Sequence, residues 1–222
     1  MPYNKHMPSS QSFAARNRVL LGTLLVLLTI VLLAGGWAIP YKFQSFSILY
    51  KFGKLKLFLR YGKVIGITVV LLLFYQVLLT SRLKFMEQVF SAGKLLLLHR
   101  INGIIITCLI AAHPVLIKAS ENFTPYTFTK KYYPEFVGIA LLLILLILSA
   151  TAIFRNFLKM PYPRWRLLHR LGATLVLLIV PAHVLWVSDT FKSGLPRSAA
   201  LTIFTLNFLL LLIVWLKRLF KM

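Results

Sequence analysis

The chain has 222 residues, 59% of them hydrophobic, with 26 Lys and Arg against four acids and a formal net charge of +22; its mean hydropathy is +0.82. An ordinary soluble domain is roughly 45–50% apolar, so soluble classes are excluded, and the basic residues, dispersed between apolar runs, suit anionic lipid headgroups rather than nucleic acid. Glu87, Glu121, Glu135 and Asp189 lie outside the apolar runs, leaving no carboxylate pair for hydrolysis, and a single cysteine, Cys108, rules out an internal disulfide, a Cys-ligated iron–sulfur cluster or a zinc ribbon.

Crossing a hydrocarbon core of about 30 Å takes about 20 apolar residues. Six stretches qualify, near 19–39, 64–80, 95–117, 136–153, 167–187 and 199–216, which predicts an all-α, integral membrane six-helix bundle. Residues 1–18 read as a cytoplasmic N-terminal tail, 19–217 as the membrane domain and 218–222 as a C-terminal tail. The first span follows Arg16 and Arg18 and has small residues at Ala34–Ala38, yet its apolar run exceeds a signal-peptide core and continues through Gly35, Gly36 and Trp37. It is read as a retained helix.

Between the first two spans, YKFQSFSILYKFGKLKLFLRYGK interleaves Lys42, Lys51, Lys54, Lys56, Arg60 and Lys63 with Tyr and Phe. The pattern predicts an interfacial amphipathic segment that anchors to headgroups, with attraction of an anionic chelated metal as the functional alternative. Fifteen of the 26 basic residues fall on the side of the N-terminus, so both termini are expected in the cytoplasm and the chain in the cell (inner) membrane.

His6 lies in the polar tail; the other four histidines occupy the third span, His99 and His113, and the fifth, His169 and His183. Each pair is 14 residues apart. On a helix that spacing returns to within about 40° of the starting direction and rises about 21 Å, so each pair lines one face. Both spans run the same way, which matches His99 with His169 near the inner surface and His113 with His183 near the outer one. Two imidazoles on opposite sides of a planar macrocycle complete a six-coordinate haem iron, and neutral imidazole is tolerated in a low-dielectric interior. For one histidine alone a hydrogen bond to a neighbouring helix is the simpler account; metal transport and proton relay are the other readings, the relay weakened by the lack of intramembrane carboxylates.

The contexts repeat as Leu97, Leu98, His99, Arg100, Gly103 and Leu167, Leu168, His169, Arg170, Gly172. Arg100 and Arg170 are candidates for binding haem propionates or for snorkelling to lipid phosphate, while Gly103 and Gly172 would let a ring approach the backbone. Pro114 follows His113 and Pro181 precedes His183 by two residues, positions that predict kinks aiming the outer ligands. Trp165, Trp186, Tyr162 and Tyr126 near span ends read as an aromatic belt, with electron hopping as the alternative.

GKLLLLHRINGIIITCLIAAHP and YPRWRLLHRLGATLVLLIVPAHVLW resemble the ferric reductase-like transmembrane domain, a superfamily that includes NADPH oxidases, yeast-type and bacterial ferric reductases and the haem subunit of the bacterial methionine sulfoxide reductase system. The resemblance implies two b-type haems stacked between helices 3 and 5, with His99, His113, His169 and His183 as the iron ligands. It further implies an oxidoreductase that moves electrons from a cytoplasmic donor to an outer acceptor: a ferric chelate by default, oxygen or a periplasmic redox protein otherwise. KRLFKM closes the sequence where a flavin and nicotinamide domain follows in fuller members, and no dinucleotide fingerprint occurs among the 11 glycines. The donor is therefore expected to be a separate dehydrogenase protein, a flavin on a partner or loosely bound, or a quinol. A quinol-oxidising haem subunit feeding a periplasmic reductase is the first rival, and a haem-free transporter or anchor subunit the second.

Overall fold

A helix keeps every backbone N–H and C=O bonded within itself, which is what a chain crossing hydrocarbon needs. The computed structural model describes residues 9–43 and 53–220, and among these all regular structure is helical. Long helices are α1 (Ser9–Lys42), α2 (Gly53–Thr80), α4 (Ala92–Ser120), α5 (Tyr133–Ile153), α6 (Tyr162–Val187) and α7 (Gly194–Leu219); a short α3 (Lys84–Val89) lies between α2 and α4. The six long helices are each long and apolar enough to span a membrane, with 24–29 residues in the spanning stretch. His6, the residues of the basic segment numbered 44–52 and the last two residues lie outside the described residues.

Two boundaries differ from expectation. The second helix begins at Gly53 rather than near 64, so Lys54, Lys56, Arg60 and Lys63 occupy the first turns of a spanning helix instead of a separate surface segment. Straight-chain Leu, Lys and Arg lose little rotamer freedom in a helix, and nothing in GKLKLFLRYGK stops it; Gly53, at φ +70°, makes the turn into it. The unexpected α3 buries Met86 against Val77, Leu78, Leu95, Leu210 and Val214, and Arg82 at φ 49° turns the chain into it.

The packing is built from two antiparallel pairs, α4 on α2 and α6 on α5, and α4 and α6 themselves do not pack closely backbone to backbone. α1 lies at the edge with its apolar window unburied, joined to α2 by Trp37 Nε1 donating to Thr68 Oγ1 at 2.9 Å and by a 2.6 Å bond between Thr29 Oγ1 and Tyr75 Oη. Lipid is as apolar as leucine, so such polar bonds and close packing hold an outer helix. The core shared by the pairs contains Val69, Leu73, Ile106, Ile110, Leu141, Leu148 and Val176.

Candidate haem-binding site between the histidine helices

α4 and α6 bring all four predicted histidines inward, each half-buried. His99 and His169 face each other with ring centroids 6.4 Å apart and planes 76° apart. His113 lies within electrostatic reach of His183. The two cross-pairings fix α4 and α6 as parallel.

His113 and His183, the pair expected near the outer surface, are held by backbone on the neighbouring antiparallel helices. His113 Nδ1 is 2.9 Å from the Gly62 carbonyl of α2, and His183 Nδ1 is 2.9 Å from the Pro134 carbonyl of α5. A carbonyl can only accept, so Nδ1 carries the proton in both bonds. This leaves Nε2 of each ring with a free lone pair, and it makes no hydrogen bond among the described residues. The inner rings have equivalent neighbours in the carbonyls of Gln76 and Leu148, but neither buried inner Nδ1 reaches its carbonyl with the distance and angle of a well-formed hydrogen bond.

Midway between the layers, seven residues from both histidines of their own helices, stand Ile106 (3% exposed) and Val176 (0%). Seven steps of a helix return to nearly the same face, so an apolar pair closes the space between the two polar layers.

Two imidazoles that shared one metal at nitrogen distances of about 2.0–2.1 Å would have ring centroids no more than roughly 6.4 Å apart. The 6.4 Å inner separation fits that arrangement. Among the described residues no three His, Cys, Asp or Glu side chains gather, so these side chains offer a metal at most two imidazoles in either layer, and any further ligands would come from outside the chain. Two facing imidazoles on helices whose backbones do not pack closely on each other are compatible with a group held between them, such as a haem.

The flanking residues divide. Arg100 is exposed and close enough to interact electrostatically with His99; Arg170 is half-buried. The ion pairs found among the described residues are Lys118–Glu121 and Lys192–Asp189, so both arginines keep their guanidinium groups for a ligand or lipid. Space at Gly103 is taken by Gln76 Nε2 and at Gly172 by the Leu148 side chain, which makes these glycines seats for α2 and α5 rather than openings for a ring. α4 and α6 run uninterrupted through Pro114 and Pro181.

Trp165 does more than belong to a belt. Its ring stacks on His169 at 5.3 Å and 32°, Tyr162 lies 5.6 Å beyond it, and Arg155 sits over both. Trp186 is exposed, and Tyr126 packs with Tyr132 and Phe136 under Lys118. In the basic segment, Lys63 donates to the buried Thr190 and Arg60 covers Tyr41, so these two cations are engaged within the protein. The carbonyl seats on Gly62 and Pro134 escaped the sequence reading, since every residue has a carbonyl and only the fold says which is reached.

Residues 65–180 match the family model described as ferric reductase like transmembrane component. Comparison with curated proteins and with solved structures gives no match.

Proposed function

We propose that this chain, which belongs to the ferric reductase-like transmembrane family, is a di-haem electron conduit in which His99 and His169 hold an inner b haem and His113 and His183 an outer one. The observation that carries the reading is the 6.4 Å inner imidazole pair, together with outer histidines whose Nδ1–H groups are tied to backbone so that Nε2 is the free ligand atom. A haem in each layer would supply a one-electron ferric/ferrous couple.

The chain's own residues do the rest. Backbone carbonyls of Gly62 and Pro134 hold the outer imidazoles in one tautomer. Ile106 and Val176 keep water out between the layers, which limits charge leakage and solvent reorganisation. Arg100 and Arg170 sit one residue after the inner ligands and are suited to propionate carboxylates. Electrons enter on the cytoplasmic side from a separate dehydrogenase, a flavin or a quinol, and leave outside to a ferric chelate, oxygen or a periplasmic redox protein, with both termini in the cytoplasm.

The test is the oxidised and dithionite-reduced spectrum of detergent-purified protein with a pyridine haemochrome assay. About two low-spin b haems per chain are expected; protein expressed with ample haem and showing no Soret band would overturn the assignment and return the histidines to a transporter or anchor.

A further inference from the structure

We propose that Gly66 and Gly138 are positioning residues that open one backbone carbonyl each to the outer histidines, and that Thr80 and Ala152, side chains at the same offset, crowd the matching carbonyls of the inner layer; the role assigned to these histidines rests on the haem reading above. In a helix the carbonyl of residue i accepts from the N–H of residue i+4, whose Cβ, tilted toward the N-terminus, shields that oxygen from outside donors. Gly62 and Pro134 are the carbonyls reached by His113 and His183. Four residues on stand Gly66 and Gly138.

The space a side chain would need is the space the imidazole uses. A Cβ on Gly66 would lie 2.9 Å from His113 Cε1, and one on Gly138 would lie 2.5 Å from His183 Cε1 and 3.1 Å from its Nδ1. Neither ring is a free-swinging chain end, being held at Nδ1, so an added methyl must push it off its carbonyl. The same device occurs on two different helices, which makes chance packing a poor account of it.

The inner layer has the opposite arrangement at the same spacing. Gln76 and Leu148 follow Gly62 and Pro134 by 14 residues, as the inner and outer histidines are separated on α4 and α6. Here the position four residues on is Thr80 in α2 and Ala152 in α5, both with a Cβ. Thr80 Oγ1 lies 3.2 Å from the Gln76 carbonyl and 3.1 Å from that of Val77, and Thr151 Oγ1 lies 3.1 Å from the Leu148 carbonyl and 2.8 Å from that of Ile147, so each hydroxyl is shared with a neighbouring carbonyl. His99 Nδ1 and His169 Nδ1 lie near these carbonyls but do not meet hydrogen-bond geometry with them. The outer imidazoles are therefore locked in orientation and made stronger donors at Nε2, while the inner ones lack that backbone anchor and His169 is oriented by its stack on Trp165 instead.

Full-length protein purified in detergent, with Gly66→Ala, Gly138→Ala and Thr80→Gly, tests this, and Gly35→Ala, where a Cβ meets nothing within 4 Å, controls for the loss of a glycine. Low-spin EPR signals and equilibrium potentials are read for each haem, and ¹⁵N-histidine NMR reports the tautomers. Gly66→Ala and Gly138→Ala should shift or abolish the outer signal, lower the outer haem's occupancy and leave the inner signal in place. Thr80→Gly should give His99 a fixed Nδ1–H, a gain that a merely structural role would not produce. If haem is bound and both alanine variants match the control in signal and potential, or if Thr80→Gly leaves His99 unchanged, the seats are refuted. Should wild-type protein carry no haem, the haem reading fails separately, and the NMR decides: a fixed Nδ1–H on His113 and His183, lost in the alanine variants, upholds the seats, and its absence overturns them.

Discussion

An applied membrane potential should redistribute an electron between the two layers by a calculable amount. Fourteen residues at 1.5 Å per residue separate the layers by about 21 Å, some two thirds of a hydrocarbon core of about 30 Å. A full crossing is worth about 2.3 kcal/mol per 100 mV, so passage between layers is worth about 1.6 kcal/mol, or roughly 15-fold in the equilibrium ratio. Moving an electron from a negative interior to a positive exterior is downhill, so the outer layer gains it. Proteoliposomes poised with one electron per chain, oriented by protease access and charged with potassium diffusion potentials of either sign, would show the inner and outer haem spectra exchanging. Assignment of the spectra comes from His99→Ala and His113→Ala chains. A ratio independent of potential would refute the transmembrane stacking, and a change of about twofold would place both sites at similar depth.

His113→Ala should remove the outer haem alone, halving the haemochrome value per chain and stopping reduction of an external acceptor, while dithionite still reduces the inner haem; unchanged activity would sink the pairing. Val176→Asn places a carboxamide where no solvent reaches, and should destabilise the bundle by about 1–3 kcal/mol for an unpaired buried polar group, read by steric trapping or thermal scanning in detergent. Trp37→Phe with Thr68→Val, in a double-mutant cycle on the Trp37–Thr68 bond, should show a coupling of about 0.6 kcal/mol, the usual size for membrane helices; the same stability measurements on the four chains check it.

The histidine pairing was legible because it needs only the period of one helix repeated on a second. The number of spans was legible for a similar reason, since apolar length is a property of each run by itself. What the sequence concealed depends on neighbours. Gly66 and Gly138 look like any glycine of a membrane helix until His113 and His183 are placed against them. Trp165 reads as an interfacial residue until its stacking on His169 is seen, although its position four residues before that histidine, one helical turn away, was an available signal. Gly103 and Gly172, which stand beside histidines in the sequence, serve Gln76 and Leu148 instead. Proximity along the chain misled there, because a residue three or four positions after a histidine faces whatever helix is packed on that side.

The separation of α4 from α6, with each packed on its own antiparallel neighbour, bears on how such a protein is made. The two hairpins can insert from the ribosome one after the other, linked by the loop at 121–132, before the space between them is filled. The planar cofactor proposed to bridge them would act as mortar, adding about 2.7 kcal/mol when its free concentration is a hundred times its dissociation constant. If that cofactor is haem, its supply and the survival of the newly made chain would become a single equilibrium, and scarcity would act by opening the seam between the halves rather than by unravelling either one.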